Sequence, residues 1–136
     1  MKTKIVLILI FASSCAYAMS EAEFDIAMAQ HAERMAKTLP RQIDSETELS
    51  GIGYAPSSKT FAFTYRLIND DASEWKGDPV FSELIRRVGH ETFCNSKNER
   101  NYMRIGVSYK LRYTGRDFRF IEEFTVNDKE CKTRGM

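Results

Sequence analysis

Residues 107–126 read VSYKLRYTGRDFRFIEEFTV, and this stretch decides the fold. Val107, Tyr109, Leu111 and Tyr113 alternate with Ser108, Lys110 and Arg112. Side chains on a strand point to opposite faces in turn, so the run predicts a strand with one apolar face. Thr114-Gly115-Arg116-Asp117 then supplies turn residues, and Phe118, Phe120, Phe124 and Val126 resume the even spacing. Two alternating runs joined by such a turn predict a β-hairpin. This turn puts Arg112 opposite Arg119. Lys110, Arg112 and Arg119 then project away from Tyr109, Leu111 and Phe120, with Arg116 at the turn. Like charges across a ladder repel. The cations Lys110, Arg112, Arg116 and Arg119 are therefore the candidate interaction face, for a protein or an anionic envelope component. A solvated sheet face balanced by Glu123 is the alternative.

Upstream, Phe61, Phe63, Tyr65 and Leu67 alternate with Ala62, Thr64 and Arg66, a second half-buried strand. Thr47–Tyr54, broken by Gly51 and Gly53, predicts a short irregular strand, and Ala55–Lys59 a turn. Ser20 with Glu23 three residues on is a capping box. Phe24, Met28, Ala32 or His31, Met35 and Leu39 then form one apolar helical stripe that Pro40 ends. That stripe is core packing or, because methionine adapts to many shapes, a filler for a partner's groove. Asp78-Pro79 opens a second helix, with Phe81, Leu84, Ile85 and Val88 as its buried face and Gly89 ending or loosening it. Asn95–Arg100 is polar and predicts a loop. The order α-β-β-α-β-β gives an α+β domain: two helices packed on one face of an antiparallel sheet of about four strands.

The chain has 136 residues, enough for one domain, and 43% hydrophobic against 29% charged residues suits a packed core rather than disorder. Twenty Lys+Arg balance 19 Asp+Glu, so the cationic excess that non-specific nucleic-acid binding needs is missing. Two histidines exclude a multi-histidine metal site.

Residues 1–18, MKTKIVLILIFASSCAYA, have a basic start, an apolar run and small residues at Ala16 and Ala18. This predicts a cleavable signal peptide, leaving 19–136 as a single exported domain, periplasmic or secreted. The apolar run is far shorter than the roughly 20 residues of a spanning helix, and the mature chain offers no transmembrane segment. Cys15 makes a lipoprotein anchor the minor alternative. Export leaves two cysteines, Cys94 and Cys131, which predict one disulfide worth about 3–4 kcal/mol. The competing role is a Cys94 nucleophile beside His90 at helical spacing.

No phosphate-binding glycine loop, zinc spacing or nucleophile elbow is present, and no cofactor is expected. Glu122 and Glu123 are adjacent on a strand and point to opposite faces, so they cannot share a proton. The ordered landmarks are Leu39-Pro40, Asp44, Thr47, Leu49, Phe61–Tyr65, Cys94, Gly106-Val107-Ser108-Tyr109 and Cys131. In these the chain resembles small exported bacterial proteins described as quorum-sensing-regulated virulence factors. The resemblance implies a compact α+β domain, cystatin-like in outline, with one disulfide and no catalytic residues. The expected function is an exported, non-enzymatic binding or interaction module of the bacterial envelope or exterior. One alternative is an accessory protein of a secretion, pilus or conjugation apparatus, docking through the Met-bearing helix or the hairpin face. A second is a small hydrolase using His90 or His31.

Overall fold

A computed structural model describes residues 19–136; the signal-peptide and Cys15 expectations lie outside the described residues. The chain begins with helix α1 (Glu21–Ala36), where Ser20 accepts a hydrogen bond from the Glu23 N–H at 3.2 Å. Phe24 and Met28 pack against the core, and Ala32 is buried in it. A short strand β1 (Arg41–Gln42) follows, then β2 (Thr47–Ala55), a 3-10 turn at Pro56–Ser58, and β3 (Thr60–Leu67). Next come α2 (Ala72–Trp75), α3 (Pro79–Asn95) and α4 (Lys97–Arg104). Strands β4 (Ser108–Thr114) and β5 (Phe120–Val126) form the final hairpin, and α5 (Asp128–Thr133) ends the fold.

The domain is α+β, as expected, but the sheet differs from the expectation. It has five strands in the order β1-β2-β3-β4-β5, and β3 pairs with β4 in parallel, Thr60 beside Ser108 through Arg66 beside Thr114. The other pairs are antiparallel. The forty-residue connection between β3 and β4 carries helices, and a crossover of that kind is what a parallel pair requires. Among the described residues five helices replace the expected two. Asn95–Arg100, expected as a loop, lies mostly in α4, with Ser96 bonded to Glu99 at its start.

Alternation along the strands sets the two faces. Ile52, Phe61, Phe63, Tyr65, Tyr109, Leu111, Tyr113, Phe124 and Val126 belong to or pack against the core cluster. Helix α1 packs over β2 and α3 over β5. A bulge in β5 leaves Ile121 as the extra residue, buried with Leu67 and Ala72 beneath Trp75 and Phe81. The disulfide between Cys94 and Cys131 forms as expected and ties α3 to α5 across a sequence separation of 37.

Two residues of α3 explain its seat on the sheet. Gly89 lies inside the helix and does not end it. A Cβ there would sit 2.7 and 2.9 Å from the Phe124 ring and 3.3 Å from Leu111, so glycine is what lets the helix approach. The next residue, His90, is buried against Phe124, ring centroids 5.8 Å apart. Its Nδ1–H donates to the Arg86 carbonyl at 2.6 Å. Its Nε2 has no hydrogen-bond partner among the described residues and lies 3.9 Å from the Glu130 carboxylate on α5. Burial pushes the imidazole pKa below its ordinary 6.5, outweighing the carbonyl bond and Glu130.

Gly89→Ala should gain about 1 kcal/mol in helix propensity and lose more to overpacking, for a net destabilisation of about 1–2 kcal/mol. A lower urea midpoint would show it; an unchanged or raised midpoint would contradict the close approach. His90 should make stability pH-dependent. Its folded pKa is lowered, so its contribution is full above 6.5 and declines as the pH falls below that value, where the unfolded chain takes the proton first. Urea midpoints should drop on acidification from neutral pH through 6.5, and His90→Phe should flatten that part of the slope. Equal slopes in the two proteins would refute the assignment.

Candidate functional site

The helices do not cover the middle of the sheet. Between α1 on one side and α3 with α4 on the other lies a trough, in whose floor Phe63, Tyr65 and Tyr113 are only partly buried while Phe61, Tyr109 and Leu111 are buried. Two hollows mark it. One, of about 70 Å³, lies between Met28, His31 and Met35 of α1 and Glu99 and Tyr102 of α4, over Phe61, Phe63 and Tyr109. The other, of about 170 Å³, lies over Tyr65, Leu111 and Tyr113, between Ile43 near β1 and Val88, Thr92 and Phe93 of α3. The contact of Phe63 with Phe93, centroids 5.6 Å apart, joins them along β3.

The floor is aromatic and rigid. Phe61 stacks on Phe63 and Tyr109 at 6.2 and 6.0 Å, and Tyr65 on Tyr113 at 5.2 Å. Burial raises the pKa of Tyr65, Tyr109 and Tyr113, so all three stay neutral. Phe63 and Tyr65 are only half-buried although they stand on central strands. The apolar surface continues outward along α3. Val80, Leu84 and Val88, at four-residue steps, are 76%, 46% and 47% exposed, and Ile43 opposite them is 49% exposed. Of the expected buried face Ile85 is buried as expected, but Leu84 and Val88 are not, and Gly89, His90, Phe93 and Cys94 complete that face instead. The sequence signal for the difference is the extra apolar residue, Val80, which makes the stripe wider than one face.

The residues singled out in the sequence fall in three places. His31 lines the trough, edge-on to Phe61 at 6.3 Å, while His90 is walled in beneath α3. Cys94 is oxidised and is no nucleophile. The hairpin cations are rearranged. The β4–β5 loop is longer than the expected turn, running Gly115–Arg119, so Arg112 stands opposite Glu123 and not Arg119. Lys110 pairs with Glu123 at 3.7 Å and Arg116 with Asp71 at 3.2 Å. Arg119 lies outside the strands with its side chain 85% exposed, 3.9 Å from Asp117. Phe120, expected in the core, stands on the open face with Arg112 over its ring at 5.2 Å.

Glu122 and Glu123 part as the alternation requires. Glu122 accepts from Ser82 at 2.7 Å and Arg86 at 2.7 and 3.0 Å, joining β5 to α3. A larger hollow of about 470 Å³ borders this network and the start of α3; of its charged lining, Arg86 and Glu122 pair with each other, Glu123 with Lys110, and Asp78 caps α3. Asp70 accepts from the Trp75 indole at 3.0 Å, and Asp71 caps α2. No group of three or more metal-ligating side chains exists among the described residues, and no described helix is long and apolar enough to cross a membrane.

Neither a protein-family model nor a curated protein matches this sequence. Solved structures do share its fold. A pilotin of the Vibrio vulnificus type 2 secretion system, EpsS, superposes with a TM-score of 0.63 at 14% identity, covering 82% of this chain and 94% of that one. The type II secretion pilotin AspS of Vibrio cholerae gives 0.61 at 14% identity, covering 82% and 94%. A secreted protein of Pseudomonas aeruginosa gives 0.61 at 14% identity, covering 79% and 95%. At this identity the likeness is one of fold: this chain has the architecture of two secretion pilotins and a secreted protein.

Proposed function

We propose that this chain is an exported, non-enzymatic accessory protein of a bacterial secretion apparatus, and that it holds an apolar segment of a partner protein in the trough. The observation that carries the proposal is the row of partly exposed rings, Phe63, Tyr65 and Tyr113, in the trough between α1 and α3. An apolar groove on a small domain is a binding surface by default, because leaving rings such as Phe63 and Tyr65 wet forfeits their transfer free energy. Met28 and Met35 on the rim suit a partner whose side chains must be accommodated rather than matched. A helix laid along the groove would present apolar anchors at three- and four-residue steps to these walls. The fold shared with two type 2 secretion pilotins supports the accessory role over a free-standing binding module. Export to the periplasm or beyond rests on the sequence of residues 1–18 and on the same likeness. A virulence-associated role, implied by the resemblance to quorum-sensing-regulated factors, belongs to the proposal and rests on that resemblance alone. Hydrolysis at His90 has no support in the geometry, since its ring is buried and its neighbour Cys94 is bonded.

Photo-crosslinking amino acids placed at Met35 and Val88 in living cells should trap a component of the secretion apparatus, identified by mass spectrometry. The same probe at Ile26, exposed elsewhere on α1, should not. Met35→Glu with Val88→Glu should leave the melting curve within a few degrees of the parent and weaken capture by about tenfold or more. Crosslinks that appear equally at Ile26, or at no position, would overturn the trough as the partner site.

A further inference from the structure

The face of the sheet opposite the described helices ends in a corner that the trough does not use. Its centre is the Gly115–Arg119 loop, which is pinned from several directions. The Gly115 N–H donates to the Arg119 carbonyl at 3.0 Å and the Phe118 N–H to the Gly115 carbonyl at 2.9 Å. The Arg116 N–H donates to the Asp70 carbonyl at 2.7 Å, and Asp117 accepts from the Ala72 N–H at 3.1 Å. A Cβ on Gly115 would lie 2.2 Å from the Ala72 nitrogen, so loop and α2 are in direct contact.

Within this frame Phe118 takes a φ of 61°, the left-handed region that a bulky residue rarely adopts. Its side chain faces outward: Phe118 is 69% exposed. The Arg66 guanidinium lies 4.2 Å from the ring centroid and is itself fixed by bonds to the Arg116 carbonyl at 2.8 and 3.1 Å and to Glu48 at 2.9 Å. Phe120, 40% exposed, is backed in the same way by Arg112. One phenyl ring thus projects beyond the sheet and a second is part-exposed at the start of β5, each propped by a cation. Arg119 lies between them in the chain, Arg116 two residues before Phe118 is paired with Asp71, and Lys110 stands two residues before Arg112 on the same face of β4. Arg112 has no carboxylate within 4.0 Å among the described residues, and the partners of Arg119 and Lys110 are as far as 3.9 and 3.7 Å.

We propose that this corner docks the protein on an anionic phospholipid bilayer, with Phe118 and Phe120 entering the headgroup–acyl boundary and Arg112, Arg119 and Lys110 meeting lipid phosphates. Aromatic rings and snorkelling cations are the side chains that favour that boundary. Cations near an anionic surface are attracted over about one Debye length, roughly 10 Å at 0.1 M salt. A projecting, preordered tip suits a surface that yields to it, whereas a protein hot spot is framed by a concave rim. This inference stands apart from the trough and uses the other face of the sheet.

The test is co-sedimentation of residues 19–136, which carry every described element, with vesicles of phosphatidylcholine alone or mixed equally with phosphatidylglycerol. The protein should partition onto the anionic vesicles, and less so as salt rises. Phe118→Asn, which keeps a residue tolerant of the left-handed backbone, combined with Phe120→Ser should weaken partitioning by about tenfold while the circular dichroism melt is retained. Arg112→Glu with Arg119→Glu should abolish it. Phe118→Trp should show a blue-shifted emission on the anionic vesicles. Equal partitioning onto both vesicle types, no partitioning, or variants that bind like the parent would overturn the proposal. Retention by polyglutamate without vesicle binding would overturn it in favour of an acidic protein.

Discussion

The parallel pairing of β3 and β4 is the constraint on which the rest of the molecule depends. Parallel neighbours cannot be joined by a tight turn; the chain must leave the sheet and cross back over one face. Here the crossover carries α2, α3 and α4, and it lays the Tyr109, Leu111 and Tyr113 row directly beside Phe61, Phe63 and Tyr65. One aromatic floor results from two distant segments. The N-terminal helix seats over β2, and the crossover places α3 over β5. Only Phe93 of α3 reaches across to Phe63, so the trough on either side of that contact is a consequence of topology rather than a local defect in packing.

That topology was half legible. The alternating runs at 61–67 and 108–114 gave the right strands, and their apolar residues face the helices. Their relative direction was misjudged because the hairpin pattern of each half suggested an all-antiparallel meander. The long helical connection between them carried the signal for a parallel pair. Helices α4 and α5 were hidden by composition, since α4 buries only Arg100 and Met103 and α5 only Cys131. Their caps were nonetheless written in the chain. Ser96 precedes Glu99 by three residues, and Asn127 accepts a hydrogen bond from the Glu130 N–H at 2.9 Å.

The hairpin register was not legible. An even spacing of aromatics carried Phe118 and Phe120 into the predicted strand and set Arg112 against Arg119. Two backbone irregularities shift it: the left-handed Phe118 and the bulge at Ile121. Phenylalanine is not a residue whose presence announces a positive φ, and isoleucine does not announce a bulge. The trough was legible only in part. The methionines of the first helix were visible, but the exposure of Val80, Leu84 and Val88 depends on how Gly89 lets α3 sit on Phe124.

The same irregularities also close the edge of the sheet. Strand β5 has one neighbour, and a free edge invites pairing with another chain. The bulge at Ile121 breaks its ladder, and Glu122 points inward to Arg86 and Ser82, where a pairing strand would have to leave that network undisturbed. At the other edge, β1 has only two residues. Association through main-chain pairing is therefore disfavoured at both ends, and the two broad faces are what the fold leaves for partners. They are chemically unlike: a concave aromatic trough beneath the helices, and an open face whose corner carries propped rings and arginines. Because they lie on opposite sides of one sheet, occupation of one does not obstruct the other. A protein so built can hold an apolar partner segment while resting on a charged surface.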